Sequence, residues 1–179
     1  TWMYQVAQRT KFPNRIVCIK NEGYSDYSYV NERCSIHRIG FSSVYKRIFQ
    51  KWTRLDPLPY SKRILKVAEK FEITDQSVIV VHNSMKLYRQ IRSQAPQAKV
   101  VIHMHNAFEP KLLDKKVKMI VPSLFLKNYY QSYLPEADIV IVPNGIDLDI
   151  YQSSYESISK SKLNISPESK VVFFAGRIV

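Results

Sequence analysis

Residues 78–105 read VIVVHNSMKLYRQIRSQAPQAKVVIHMH, and the predicted fold rests on this stretch. It opens and closes on apolar runs rich in β-branched residues, 78–82 and 100–105, which are typical of strands buried on both faces. Ser84 follows the first run and is a residue type that favours the N-cap of a helix. The apolar residues after it recur at helical spacing: Leu87, Tyr88 and Ile91. The stretch therefore predicts a strand, a helix and a second, parallel strand.

The same alternation continues toward the carboxyl terminus. Two more apolar runs, 119–122 and 139–143, enclose a helical segment at 124–133, and Ser123 precedes that segment as a second candidate N-cap. A weaker apolar run at 16–19 predicts one further strand. The pattern predicts an α/β fold, a Rossmann-like parallel sheet with helices on both faces.

Composition narrows the classes of protein to consider. The chain has 179 residues, of which 45% are hydrophobic, and this is enough for one packed domain and excludes a disordered chain. The apolar runs are much shorter than the roughly 20 residues of a spanning helix. Cys18 and Cys34 form no CxxC pair, which favours reduced thiols and a cytoplasmic location. The formal net charge of +12 indicates anionic partners.

Much of that charge lies in two predicted amphipathic helices between residues 42 and 72. The plainer interpretation is that they dock on the sheet with solvated charges outside. The alternative is a peripheral surface that rests on anionic lipid at the inner face of the plasma membrane. Its residues would be Lys46, Arg47, Phe49, Lys51, Trp52 and Arg54. Nucleic acid is disfavoured, because no recognition motif accompanies the charge.

Polar residues follow each apolar run, and the carboxyl ends of parallel strands share one edge of a sheet. Neutral imidazole, amide and hydroxyl groups at such an edge suit a substrate rich in hydroxyls. A plainer interpretation exists for each, since a strand-end histidine is often structural and Asn-Gly is often only a turn. The candidates are His82, Asn83, His105, Asn106, Ser123, Asn144 and Gly145, with Arg177 after a last apolar run.

A metal site is the most specific alternative to a substrate site at this edge of the sheet. His103 and His105 are two residues apart on one strand, so they share a face and are similar to the His-x-His pairs of metal hydrolases. A catalytic metal takes three or more protein ligands. Beyond the pair we count only His37 and Asp147, so we expect no metal and no other cofactor. A metal-dependent hydrolase remains the less favoured hypothesis.

Four motifs occur in a characteristic order: VIHMHN at 101–106, VPSLFLK at 121–127, VPNGID at 142–147 with Tyr151, and FAGR at 174–177. This order resembles the amino-terminal domain of retaining GT-B glycosyltransferases of family 4, a group that includes capsule, lipopolysaccharide and spore-coat sugar transferases. The resemblance covers roughly the last hundred residues of the chain. It implies transfer of a sugar from a nucleotide-sugar donor to a hydroxyl of a sugar or lipid-linked acceptor, with retention and without a metal.

The resemblance also implies roles for individual residues. His105 would lie beside the reacting sugar as the catalytic residue, and three residues would line the acceptor side: His82, Asn83 and Asn106. Ser123, Asn144 and Gly145 would border the cleft between two domains. Arg177 would contact the donor pyrophosphate, because a guanidinium stabilises the negative charge of a departing diphosphate.

The domain organisation follows from the same resemblance. We expect residues 1–151 to form an acceptor-side Rossmann-like domain that lacks its first strand, 152–169 a linker, and 170–179 the first strand of a donor-binding domain. The family's glycine-rich loop, its lysine after Gly-Arg and its acidic pair are absent. We therefore expect this piece to be inactive alone. The competing hypothesis is a non-catalytic basic module for membrane or nucleic acid, and the oligomeric state is not predicted.

Overall fold

The computed structural model describes residues 2–40, 60–71, 74–145, 148 and 160–172. The chain divides into two compact units, Thr1–Gly145 and Ile146–Val179. All the strands of the described residues lie in the first unit, which also contains the candidate functional residues 82–145.

Seven strands and four α-helices make up the regular structure of the described residues. The strands are β1 (Asn14–Ile19), β2 (Tyr27–Asn31), β3 (Cys34–Ile39), β4 (Val78–His82), β5 (Lys99–His103), β6 (Lys118–Val121) and β7 (Asp138–Ile141). The α-helices are α1 (Trp2–Arg9), α2 (Tyr60–Ala68), α3 (Met85–Gln94) and α4 (Leu124–Tyr133). Short 3₁₀ helices occur at Glu69–Phe71 and Lys160–Leu163.

Strands β4 to β7 form one sheet in the order β4-β5-β6-β7, and every neighbouring pair is parallel. Helix α3 connects β4 to β5, and helix α4 connects β6 to β7. This arrangement confirms the predicted α/β fold with a Rossmann-like parallel sheet. The prediction also placed helices on both faces, whereas among the described residues both connecting helices pack on one face. The strands that the sequence predicted most clearly are those of this sheet, because continuous β-branched runs are the signature of buried parallel strands.

Both helices on this sheet begin at a serine N-cap, as the sequence predicts. The Leu87 N–H donates to Ser84 Oγ over 3.3 Å, and the Leu126 N–H donates to Ser123 Oγ over the same distance. Each hydroxyl satisfies one of the backbone donors that a helix leaves unpaired in its first turn. The two caps therefore fix the helices to begin directly after the carboxyl ends of β4 and β6.

The core lies between these helices and one face of the sheet. Alternate strand residues point into it and are buried, and they belong to one cluster with the apolar side chains of α3 and α4. The cluster includes Val81, Ile102, Met119, Val121, Tyr88, Ile91, Leu126 and Tyr130. Strands added in sequential order with right-handed crossovers place both helices on the same face, which agrees with this single cluster. On the opposite face, Val78, Val80 and Val140 keep 42–55% of their surface exposed.

A second, smaller sheet precedes the main one, in the order β1-β3-β2. β3 pairs parallel with β1 and antiparallel with β2. The predicted strand at 16–19 lies within β1, but β2 and β3 were not predicted. Both are interrupted by serine, asparagine or arginine, so they lack the continuous apolar run that marks the main strands. Ile39 of β3 nevertheless belongs to the core cluster.

Several sequence predictions fall partly or wholly outside the described residues. The first basic helix, at 44–55, lies there entirely, whereas the second corresponds to α2 and the 3₁₀ turn after it. Residues 152–159 of the predicted linker and residues 173–179 of the last predicted strand also lie there, and the described Val171 and Val172 are not part of a strand. Within the parts of the chain that the structure describes, no helix has the length and apolarity needed to cross a membrane.

Truncation of Ile102, which is fully buried in β5, tests the assignment of the core. We expect Ile102→Ala to lower the free energy of unfolding by about 3 kcal/mol, because it removes buried methyl groups and leaves a cavity. Val78→Ala is the matched control in β4, since Val78 is 55% exposed, and it should cost less than about 1 kcal/mol. Urea denaturation measures both, and equal losses would contradict the assignment.

Candidate active site at the carboxyl edge of the main sheet

Three imidazole rings meet where β4 and β5 end. His82 is the last residue of β4 and pairs in register with His103, the last residue of β5, so their side chains stand side by side on one face. His105 follows two residues later. The ring centroids are 5.1 Å apart for His82 and His103, 4.1 Å for His103 and His105, and 5.9 Å for His82 and His105. We call these three residues the histidine cluster.

Asn83 makes two hydrogen bonds to the backbone of the segment that carries His103 and His105. Its N–H donates to the His103 carbonyl over 2.8 Å, and its side-chain Oδ1 accepts from the His105 N–H over 3.3 Å. Asn83 has a φ of +52°, in the left-handed region that asparagine tolerates better than most residues. The sequence predicted Asn83 as an acceptor-binding residue. In the structure its side-chain oxygen positions His105.

The imidazoles of the cluster favour the neutral form. Burial, together with His105 and His82, lowers the pKa of His103 to about 4. Burial and the nearby His105 lower the pKa of His82, and burial lowers that of His105. His103 is buried, whereas His82 and His105 are half-buried. At neutral pH the edge therefore presents uncharged rings, which can donate or accept hydrogen bonds with sugar hydroxyls.

Tyr130 of α4 fixes the segment that follows the cluster. Its hydroxyl donates to the Asn106 carbonyl over 2.6 Å and accepts from the Phe108 N–H over 3.3 Å. The ring is fully buried, and this burial raises the pKa of the Tyr130 hydroxyl. Tyr130 lies in the helical segment that the sequence predicts at 124–133. The helical pattern does not predict that its hydroxyl forms a hydrogen bond with a loop 24 residues earlier in the chain.

The remaining predicted site residues have different surroundings. Ser123 uses its hydroxyl to cap α4, and Asn106 is exposed beside the cluster. Asn144 and Gly145 are exposed after β7, which lies two strands from β5. Neighbouring strands are ~4.8 Å apart, so the end of β7, where Asn144 and Gly145 follow, lies roughly 10 Å from the end of β5. Arg177 lies outside the described residues, as do the six proposed membrane-surface residues: Lys46, Arg47, Phe49, Lys51, Trp52 and Arg54.

The ligand count from the sequence was wrong in one respect. His37, which the sequence offered as a further candidate, lies on β3 of the small sheet, where its ring packs edge-on against Phe71 and Tyr27. The third imidazole beside His103 and His105 is His82, and the imidazole nitrogens available for coordination lie within 4.8 Å of one another. The sequence could have identified His82 as the third imidazole, because a histidine at the end of a neighbouring parallel strand is expected to lie at the same edge of the sheet.

Comparison with known proteins gives an informative match. The chain is 57% identical over 178 residues to a lipopolysaccharide 1,2-N-acetylglucosaminetransferase of Salmonella typhimurium. The match covers 99% of this chain and 47% of that protein, so the chain spans about half the length of the curated relative it matches. No protein-family model matches the chain, and no solved structure matches it. The resemblance to family 4 of the GT-B enzymes therefore stays a prediction.

Acid should destabilise the fold through His103. Below pH 6.5 the unfolded chain binds a proton that folded His103 takes up only near pH 4, so the free energy of unfolding falls as the pH falls through this window. This single group should account for a loss of about 3 kcal/mol across the window. Urea denaturation at a series of pH values measures the loss. His103→Gln is the control, because it keeps a neutral polar side chain, and its stability should decline less steeply. Parallel curves would contradict the prediction.

Removal of the Tyr130 hydroxyl should loosen the loop after the cluster. Tyr130→Phe deletes both hydrogen bonds of that hydroxyl, so we expect a loss of about 1 kcal/mol in stability and faster hydrogen exchange at the Phe108 amide. Tyr29→Phe is the matched control, because Tyr29 is 65% exposed on β2. Unchanged exchange at Phe108 in the Tyr130 variant would show that this bond does not hold the loop.

Proposed function

We propose that the protein carrying this chain transfers N-acetylglucosamine from a nucleotide-sugar donor to a hydroxyl of a lipopolysaccharide oligosaccharide. The observation that carries the proposal is 57% identity to a transferase of that description across 99% of the chain. The match covers 99% of the chain and therefore includes the histidine cluster. An oligosaccharide acceptor agrees with the chemistry of the edge, where the three neutral rings can hydrogen-bond hydroxyls.

His105 is the proposed catalytic residue. It is half-buried at the edge of the sheet, and the Asn83 side chain accepts a hydrogen bond from its backbone N–H. A neutral imidazole beside the reacting sugar can stabilise the transition state by hydrogen bonding, without a charge that competes with the donor phosphates. We place His82, Asn83 and Asn106 on the acceptor side, with Asn83 acting through the position of His105.

The stereochemical part of the proposal is retention. In the proposed reaction the acceptor hydroxyl attacks the anomeric carbon on the face from which the nucleoside diphosphate departs. The bond to the diphosphate oxygen breaks as the bond to the acceptor oxygen forms, and the acceptor proton moves to the departing diphosphate. This course needs no protein nucleophile and no metal. Arg177 would stabilise the negative charge of the diphosphate, since a guanidinium can bind it with two hydrogen bonds.

The first compact unit, Thr1–Gly145, carries the candidate acceptor residues. In the proposal, Ser123, Asn144 and Gly145 would border the donor cleft of the complete enzyme, and Arg177 would act on the donor. Because the chain spans about half of its relative, we propose that donor binding needs the remainder of the protein and that this chain alone is inactive. No cofactor is proposed besides the donor substrate.

Membrane association is a separate proposal. Anionic lipid attracts basic residues by about 1 kcal/mol for each one near its surface. The net charge of +12 agrees with recruitment of the enzyme to the cytoplasmic face of a membrane that carries its acceptor. The basic segment from Lys46 to Arg54 would supply the contact.

Replacement of His105 tests the proposed enzyme. In the protein with its complete reading frame, His105→Ala should lower kcat/KM for transfer of labelled N-acetylglucosamine about 10- to 100-fold, the value of one or two hydrogen bonds in the transition state. His37→Ala is the matched control, because that ring packs on the small sheet, and it should retain activity. Circular dichroism would establish that both variants fold.

The same variants distinguish the proposed transferase from the competing hypothesis of a non-catalytic basic module. A non-catalytic basic module should lose its function when Lys46, Arg47, Lys51 and Arg54 are changed together to glutamate, and it should be indifferent to His105→Ala. The proposed transferase should show the reverse with a soluble oligosaccharide acceptor. Full activity of the His105→Ala variant would refute the catalytic role of this ring.

A further inference from the structure

We propose that the histidine cluster binds one divalent transition metal ion such as Zn²⁺, and that this ion inhibits the enzyme. The metal site is argued from the geometry of the cluster alone. The inhibition rests also on the proposed function, because it requires His105 to act in sugar transfer. An inhibitory site agrees with a reaction that needs no metal.

The spacing of the rings is close to that of a three-histidine zinc site. With Zn–N bonds of ~2.0–2.1 Å in tetrahedral geometry, the bound nitrogens lie about 3.4 Å apart and the ring centroids about 5 Å apart. In the cluster the imidazole nitrogens lie within 4.8 Å of one another, and the centroids are 4.1–5.9 Å apart. Convergence on one ion therefore requires ring movements of roughly 1.5 Å or less, which rotation about side-chain bonds supplies.

Strand pairing and hydrogen bonds of Asn83 fix the backbone of the three histidines without a metal ion. His82 and His103 are paired neighbours at the ends of two parallel strands. His105 is fixed through its N–H by the Asn83 side chain, and the Asn83 N–H is bonded to the His103 carbonyl. Ligands that project from a fixed scaffold lose little conformational freedom on binding. The site is therefore largely organised before an ion arrives.

The donor set determines which ions fit. Each of the three side chains offers one imidazole nitrogen, and neutral imidazole is the form that binds metal. Imidazole suits Zn²⁺, Cu²⁺ and Ni²⁺, whereas Mg²⁺ and Ca²⁺ prefer oxygen. Among the described residues, the cluster contains histidines and no carboxylate. We therefore expect selectivity for transition metals over Mg²⁺.

A metal ion bound to the cluster would prevent the imidazole nitrogens from hydrogen-bonding the sugar, as the proposed reaction requires. A ring that coordinates a metal cannot offer the same nitrogen to a sugar hydroxyl. Three protein ligands leave one tetrahedral position for water or another small ligand, which would occupy space at the acceptor side. Inhibition follows from both of these effects.

The experiment is a metal titration of the complete protein, stripped with chelator and free of affinity tags. We expect Zn²⁺ to bind at one ion per chain by calorimetry, and Co²⁺ to give the visible absorption of a tetrahedral site, with Mg²⁺ giving neither. His82→Ala should weaken Zn²⁺ binding by at least tenfold, because it removes one of three ligands. His37→Ala is the matched control and should bind as the unchanged protein does.

Transfer is then measured in the same preparations with and without Zn²⁺. Inhibition that chelator reverses, and that needs a higher Zn²⁺ concentration in His82→Ala, is the expected result. The site is overturned if Zn²⁺ fails to bind, or if the His82 and His37 variants bind it equally. Stoichiometric binding with unchanged transfer would overturn the inhibition. A protein that binds Zn²⁺ but transfers no sugar would instead contradict the proposed function while leaving the metal site established.

Discussion

The parallel pairing of β4 with β5 is the constraint on which the candidate site depends. Two neighbouring strands that run in the same direction end at the same edge, and their register places His82 opposite His103. The Asn83 N–H extends this pairing by one further bond to the His103 carbonyl. A shift of one residue in this register would turn one of the two rings to the other face of the sheet. The helices and the core stabilise this register, because they bury the alternate side chains of the same strands.

The cluster is also an electrostatic exception within the chain. The protein carries a formal net charge of +12, yet the three imidazoles at the edge of the sheet favour the uncharged form, because burial and mutual proximity disfavour their protonation. A neutral site in a basic protein can attract an anionic donor over a long range and still offer uncharged hydrogen-bonding groups at short range. The proposed transferase needs both properties, since its donor carries phosphates and its acceptor carries hydroxyls.

The main sheet could be predicted from the sequence because its strands are continuous apolar runs and its helices begin at serine caps. The small sheet could not, because β2 and β3 alternate apolar residues with serine, asparagine and arginine on partly buried surfaces. At the site, the edge location of His82, Asn83 and His105 followed from the strand ends. The bond from the His105 N–H to the Asn83 side chain and the loop contacts of Tyr130 depend on backbone conformation and on residues more than twenty positions apart, which no local pattern encodes.

The backbone of Asn83 also limits how this site can vary during evolution. With φ at +52°, a β-branched or bulky residue would be strained there, whereas glycine would accept the conformation but lose the oxygen that holds His105. Aspartate could keep both the turn and an acceptor, but it would bring a negative charge beside three imidazoles and favour their protonation. Asparagine is thus the residue that supplies a tolerant backbone, a hydrogen-bond acceptor and no charge. Related chains that build the same turn are expected to vary little at this one position while their surface helices diverge.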